Sequence, residues 1–112
     1  MDRMRVIVCG GRDYNDTERV AEILQYLPCD TIVVHGGASG ADLLAGLYWN
    51  EWGTTEVFHA DWEKHGKAAG PLRNQEMLDA GADLVIAFPG GRGTADMVRR
   101  AKGRGIKVRI VK

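Results

Sequence analysis

The chain has 112 residues, one domain's worth, with 45% hydrophobic residues, 27% charged residues and a formal net charge of zero. That composition excludes a collagenous, disordered or disulfide-stapled protein. No run approaches the ~18 consecutive apolar residues of a membrane span, and no signal-peptide pattern is seen.

Strand and helix signals alternate along the chain. Val6-Ile7-Val8-Cys9 is a short apolar strand broken by Gly10-Gly11. Asn15, with Glu18 three residues on, predicts a capping box. Val20, Ile23, Leu24 and Leu27 then repeat at helical spacing until Pro28. Ile32-Val33-Val34 is a second strand, followed by Gly36-Gly37, and Ser39 is the expected cap of a helix running to about Trp52. Thr54 to His59 is a third strand of mixed polarity, and residues 60 to about 70 read as a polar loop. Pro71 suits the first turn of a helix that ends at Gly81. Leu84 to Phe88 is the fourth strand, a helix starts near Gly93-Thr94, and Ile106 to Val111 is the fifth strand.

This alternation predicts a single α/β domain over residues 1–112, a three-layer Rossmann-like fold with a five-stranded parallel sheet. Strands one, two and four are apolar throughout, as strands covered on both faces must be. Strand five alternates charge and apolarity, and strand three carries Glu56, so both belong at edges. The predicted order is 3-2-1-4-5.

Ligands of such sheets bind outside the carboxyl ends of the strands. Of fifteen glycines, ten follow strand ends on that rim: Gly10, Gly11, Gly36, Gly37, Gly40, Gly66, Gly70, Gly90, Gly91 and Gly93. Glycines there let backbone amides approach a ligand, and each following helix contributes its positive end. The expected ligand is an anion, most simply a phosphate. No G-x-G-x-x-G fingerprint or Walker lysine is present, which argues against an ordinary dinucleotide or nucleoside-triphosphate site. Ser39 lacks the spacing of a nucleophile elbow and reads as a cap or phosphate donor.

Four ordered motifs now stand out. They are Val8-Cys9-Gly10-Gly11-Arg12-Asp13-Tyr14, His35 to Asp42, Ala69 to Met77, and Phe88-Pro89-Gly90-Gly91-Arg92-Gly93-Thr94-Ala95-Asp96-Met97. Together they resemble the YspA, cpYpsA-related SLOG family, whose superfamily includes the Lonely Guy nucleotide hydrolases and DNA-processing protein A. The resemblance implies a Rossmann-like fold and a nucleotide-derived ligand. Position on the rim and these motifs together give a candidate binding set of Gly10, Gly11, Arg12, Asp13, Gly36, Gly37, Ser39, Gly40, Asp42, Arg73, Asn74, Pro89, Gly90, Gly91, Gly93 and Thr94, in which the resemblance itself carries the Pro89 to Thr94 loop and Arg73. Lonely Guy enzymes cleave the N-glycosidic bond of a nucleoside monophosphate with a glutamate from P-G-G-x-G-T-x-x-E and an arginine on the preceding helix. Arg73 resembles the arginine, but the glutamate position holds Met97, and Asp96 lies one residue early. The lost carboxylate favours a binding or sensing role over catalysis. If the chain is a hydrolase, Arg73 with Asp96 or Glu76 would carry it.

Trp62, Lys64, His65 and Lys67 lie on the long loop and form a candidate lid, with Trp62 placed to stack on a base. His35, His59 and His65 come from separate segments without cysteine partners, so no metal site and no cofactor beyond the nucleotide-type ligand is expected. Cys9 and Cys29 make no disulfide framework, which points to a reducing, cytoplasmic setting. From Arg99 to Lys112 there are seven basic residues and no acid, but the zero net charge and lack of interleaved aromatics argue against nucleic acid. The helix after strand two carries two apolar patches, Leu43 with Leu47 and Ala45 with Tyr48, Trp49 and Trp52. A helix on a sheet buries one stripe. The sequence therefore predicts a homodimer or higher even assembly with Trp49 or Trp52 near its core.

Overall fold

The computed structural model describes residues 3–112. Strands β1 (Arg5–Cys9), β2 (Ile32–His35), β3 (Thr54–Val57), β4 (Leu84–Ala87) and β5 (Lys107–Ile110) form one parallel sheet in the order 3-2-1-4-5. Both the architecture and the order agree with the sequence. The register places Val6 beside Val33 on one side and Leu84 on the other.

Alternation along β1 feeds two cores. Val6 and Val8 pack with Val33 and Ile86 beneath α1 (Thr17–Leu24) and α2 (Ala41–Trp49). Ile7 and Cys9 pack with Val34 and Val85 against Met77, Leu78, Met97 and Ala101 on the opposite face. Those last residues belong to α4 (Ala69–Asp79) and α5 (Arg92–Gly103). Each fully buried Val, Ile or Leu is worth roughly 1.5–3 kcal/mol, so the apolar strands alone account for the central position of β1. No helix among the described residues is long and apolar enough to cross a membrane.

Local signals differ from expectation in several places. Asp16, not Asn15, caps α1, its carboxylate accepting from the Arg19 amide at 3.0 Å. The pairing with Glu18 is therefore absent, and α1 ends at Leu24, before Leu27. Gly40, not Ser39, is the N-cap of α2, and Ser39 Oγ instead donates to the Arg12 carbonyl at 3.3 Å. The segment read as a loop contains a short helix, α3 (Trp62–His65), and a 3-10 turn (Gly66–Ala68) that runs into α4. Asp61 makes this possible by capping α3, accepting from the Lys64 amide at 3.1 Å.

Of the two tryptophans expected near an interface, the structure buries Trp49 and leaves Trp52 exposed. Trp49 is only 2% exposed, and its Nε1 donates to the Thr31 carbonyl at 2.8 Å. Ala41, Ala45, Gly46 and Trp49 form the buried face of α2, and the small residues among them permit its close approach to the sheet. A Cβ at Gly46 would sit 2.7 Å from His35 Nε2. Leu43, Leu47 and Trp52 are left exposed at 51%, 58% and 57%.

The opposite rim is tied by charge. The Arg5 guanidinium donates to both Glu56 oxygens at 2.9 and 3.0 Å, and its Nε donates to the Gly81 carbonyl. This pair holds the Glu56 carboxyl below its ordinary range.

Candidate functional site

The loops after β1, β2 and β4 meet at the carboxyl rim and enclose a cleft of about 890 Å³. That is within the ~300–1,000 Å³ of small-molecule sites. Its floor is Val8, Cys9, Gly10 and Met77, and its walls come from Gly11, Arg12 and the start of α4 and α5. A smaller pocket of about 250 Å³ adjoins it, lined by Gly36, Gly37, Ala38, Ser39, His59 and Ala60. Arg12, Ala38, Trp62 and Arg73 line both. The Arg12 guanidinium lies over the Trp62 ring, 5.2 Å from its centroid, and this pair forms a bar between the two spaces.

The glycines divide into two kinds. A Cβ at Gly10 would sit 2.5 Å from the Ala41 Cβ, and one at Gly90 would sit 2.6 Å from the Gly11 amide nitrogen. A Cβ at Gly40 would collide with the Gly11 carbonyl, and Gly40 also holds φ +79°, ψ −131°, a region open essentially to glycine. These three glycines let the loops stack on one another, a stacking sealed by the Gly11 amide donating to the Pro89 carbonyl at 2.8 Å. Gly91 and Gly93 are different: a Cβ there meets no protein atom within 4 Å, and both line the open cleft.

The first turn of α5 has no side-chain cap and no acidic residue. The amides of Arg92, Gly93 and Thr94 therefore have no partner within the helix and sit at its positive end. Below them lies Arg73, half-buried. Its Nη1 donates to the Gly36 carbonyl at 2.8 Å and its Nε to Asn74 Oδ1 at 3.1 Å. Both acceptors are neutral, and no ion pair among the described residues includes Arg73. Burial pulls the Arg73 guanidinium below its ordinary value, while the Asp42 charge works the other way. Asn74 is buried and carries the linkage onward, donating to the Gly93 carbonyl and to Asp96 Oδ2 at 3.2 and 3.0 Å.

Charged side chains on the cleft are Arg12, Lys67, Arg73, Arg92 and Arg99 against Asp42 and Asp96. Both acids are already engaged. Asp42 Oδ2 accepts from the Gly36 and Ala38 amides at 2.9 and 3.4 Å, which shapes the loop after β2. Burial pushes its carboxyl up, opposed by those amides and by Arg73 and Arg12. Asp96, whose side chain is 13% exposed, accepts from Arg99 at 2.6 Å, from Arg100 at 2.9 Å and from Asn74.

Two other polar groups near the floor are neutral. Burial pushes the Cys9 thiol up to about 12, so it offers no thiolate. Burial also lowers His35, whose Nδ1 accepts from the Gly37 amide at 3.0 Å.

Of the expected residues, Gly10, Gly11, Arg12, Asp42, Arg73, Asn74, Gly91, Gly93 and Thr94 converge on the cleft, with Trp62 and Lys67 from the segment between β3 and α4 and Asp96 beside them. Gly36, Gly37 and Ser39 line the smaller pocket. Asp13, Gly40, Pro89, Gly90, Lys64, His65 and Glu76 line neither. Glu76 is exposed on the outer side of α4, and Asp13 points to solvent. Gly40, Pro89 and Gly90 instead hold the loops together. Met97 is fully buried in the core, so no group at that position reaches the cleft. Sequence reasoning missed Arg92 and Arg99. Arg92 sat within the quoted loop motif, and Arg99 lies three residues from Asp96, on the same helical face.

No group of three or more His, Cys, Asp or Glu able to hold a metal converges among the described residues. The family model described as the YspA, cpYpsA-related SLOG family matches residues 4–65. That span includes the loops after β1 and β2 and stops before Arg73. The chain is also 45% identical to the Gene 61 protein of Mycobacterium phage D29 over 118 aligned residues, covering 93% of each chain.

Proposed function

The chain belongs to the YspA, cpYpsA-related SLOG family, and from that premise we propose that it binds a nucleotide or nucleotide derivative, its phosphate held in the rim cleft, as a sensor or binding domain. The observation that carries this reading is Arg73, a half-buried guanidinium with only neutral acceptors, lining the same cleft as the uncapped start of α5. A half-buried guanidinium that forms no ion pair carries a desolvation cost that the nearby Asp42 charge offsets only in part, and a bound phosphate would relieve the remainder. The amides of Arg92, Gly93 and Thr94 and the Thr94 hydroxyl would take the phosphate oxygens. Arg12 and Trp62 present a cation and an aromatic face at the entrance, where Trp62 would stack on the base. The setting we propose is cytoplasmic.

Small molecules recovered from purified protein and identified by mass spectrometry test the reading, followed by calorimetry with AMP. Because the Gly91 Cβ direction is open, Gly91→Val is expected to fill ligand space, abolish AMP binding and leave circular dichroism unchanged. Unchanged affinity in that variant would refute the placement.

A second reading, nucleoside-monophosphate N-glycosidase, is favoured only by the presence of Asp96 on the cleft. Three donors already occupy its oxygens, so we expect no release of free base from AMP. Turnover above ~1 s⁻¹, silenced by Asp96→Asn, would replace binding with hydrolysis.

A further inference from the structure

We infer that the ligand carries two separate anionic groups, a nucleotide phosphate in the main cleft and a second phosphoryl group in the smaller pocket across the Arg12–Trp62 bar. The inference rests on reading the cleft as a nucleotide site and names the class of nucleotide.

Three observations carry it. First, the two spaces adjoin, and two of the four arginines that line the first, Arg12 and Arg73, also line the second. Second, the smaller pocket presents Arg12, Arg73 and His59 and no carboxylate. An anion there meets cations without a lining competitor, whereas a neutral arm such as a sugar would leave them unmatched. Third, of the five cationic side chains on the main cleft Arg99 is paired with Asp96, which leaves Arg12, Lys67, Arg73 and Arg92 against Asp42 alone. One phosphate supplies at most about two negative charges at neutral pH, fewer than the cations facing the two spaces. The backbone agrees with this use. A Cβ at Gly37 would sit 2.7 Å from the His59 ring, so the glycine is what lets the loop after β2 close against His59 and shape the pocket.

The test is an amide NMR titration of the full chain. AMP is added to saturation, then inorganic phosphate, with sodium chloride at matched ionic strength as the control. Phosphate is expected to shift the amides of Gly37, Ser39 and His59 in the AMP-saturated protein, and chloride is not. His59 is exposed and lines only the smaller pocket, so His59→Ala is expected to weaken the second event at least about fivefold and leave the AMP affinity within twofold. A nucleotide bearing both groups, such as adenosine 3′,5′-bisphosphate, is expected to bind at least about tenfold tighter than AMP.

Phosphate that only displaces AMP, shifts reproduced by chloride, or a second event untouched by His59→Ala would each overturn the two-group ligand while leaving nucleotide binding intact. Two phosphate events without AMP binding would overturn the nucleotide reading, and the two-group nucleotide with it, while identifying two anion sites. An absence of any shift would overturn both.

Discussion

Replacing Arg73 separates binding from folding. In Arg73→Met the cleft loses the fork that lines it together with the start of α5, and with it one or two charge-assisted hydrogen bonds to a phosphate. At about 1.5–3 kcal/mol for a charged hydrogen bond, the loss of one raises the AMP Kd roughly 10- to 150-fold. The cost to the fold is bounded. Two bonds to neutral acceptors disappear, at Gly36 and Asn74, at about 1 kcal/mol net each and so about 2 kcal/mol together. Removing a half-buried charge offsets part of that. The expected drop in Tm is then below about 8–16 °C, at about 4–8 °C per kcal/mol in a domain of this size. Arg73→Lys keeps the charge without the planar fork and is expected to fall between the native chain and the Met variant in affinity. Calorimetry with AMP and scanning fluorimetry read the two effects independently. Native affinity in Arg73→Met, in a protein that melts normally, would show that the phosphate sits elsewhere and would remove the main support for the rim site.

Gly40→Ala places a side chain in a glycine-only region of backbone and against the Gly11 carbonyl. It is expected to lose about 2–4 kcal/mol in urea unfolding, and a loss under about 1 kcal/mol would contradict the stacked loops. Asp42 has its carboxyl raised in the folded chain. Its contribution is therefore complete below the ordinary aspartate pKa and is lost as pH rises through the higher folded value. Asp42→Asn keeps an acceptor for Gly36 and Ala38, and it should flatten that part of the profile; urea midpoints with the same slope in both chains would refute the cause. We propose that the homodimer or higher even assembly expected from the sequence uses Leu43, Leu47 and Trp52, since Trp49 is buried. Light scattering should show an even assembly that Leu47→Glu reduces to monomers, whereas a monomeric native chain at tens of micromolar would end the proposal. Trp49→Glu, at 2% exposure, is expected to unfold the chain instead of merely dissociating it.

The sheet was legible because its strands differ in what they must touch. Val6-Ile7-Val8 and Val85-Ile86 leave no polar face, which forces them inside, and Lys107 and Arg109 can only stand at an edge. Fine detail at the helix starts was not legible, because Asn15 and Asp16 are both good caps and adjacent. The two patches of α2 were visible, but which one met the sheet depended on Gly46 clearing His35, a contact between elements. The same holds for the rim glycines. Sequence located them, yet only geometry separates Gly91 and Gly93, which face open space, from Gly10, Gly40 and Gly90, which face other loops. The segment between β3 and α4 read as a loop because its residues are polar, and the Asp61 cap that makes it helical is a one-residue signal.

The Gly11 carbonyl accepts from the Tyr14 and Ala41 amides, both at 3.2 Å, while its own amide reaches Pro89. One glycine thus fastens three loops that are far apart in the chain, and they must open together rather than one by one. A ligand held only by the start of α5 would then slow solvent exchange at the amides of Gly11 and Ala41 as well. Protection would spread over the whole rim, including positions that never touch the bound molecule.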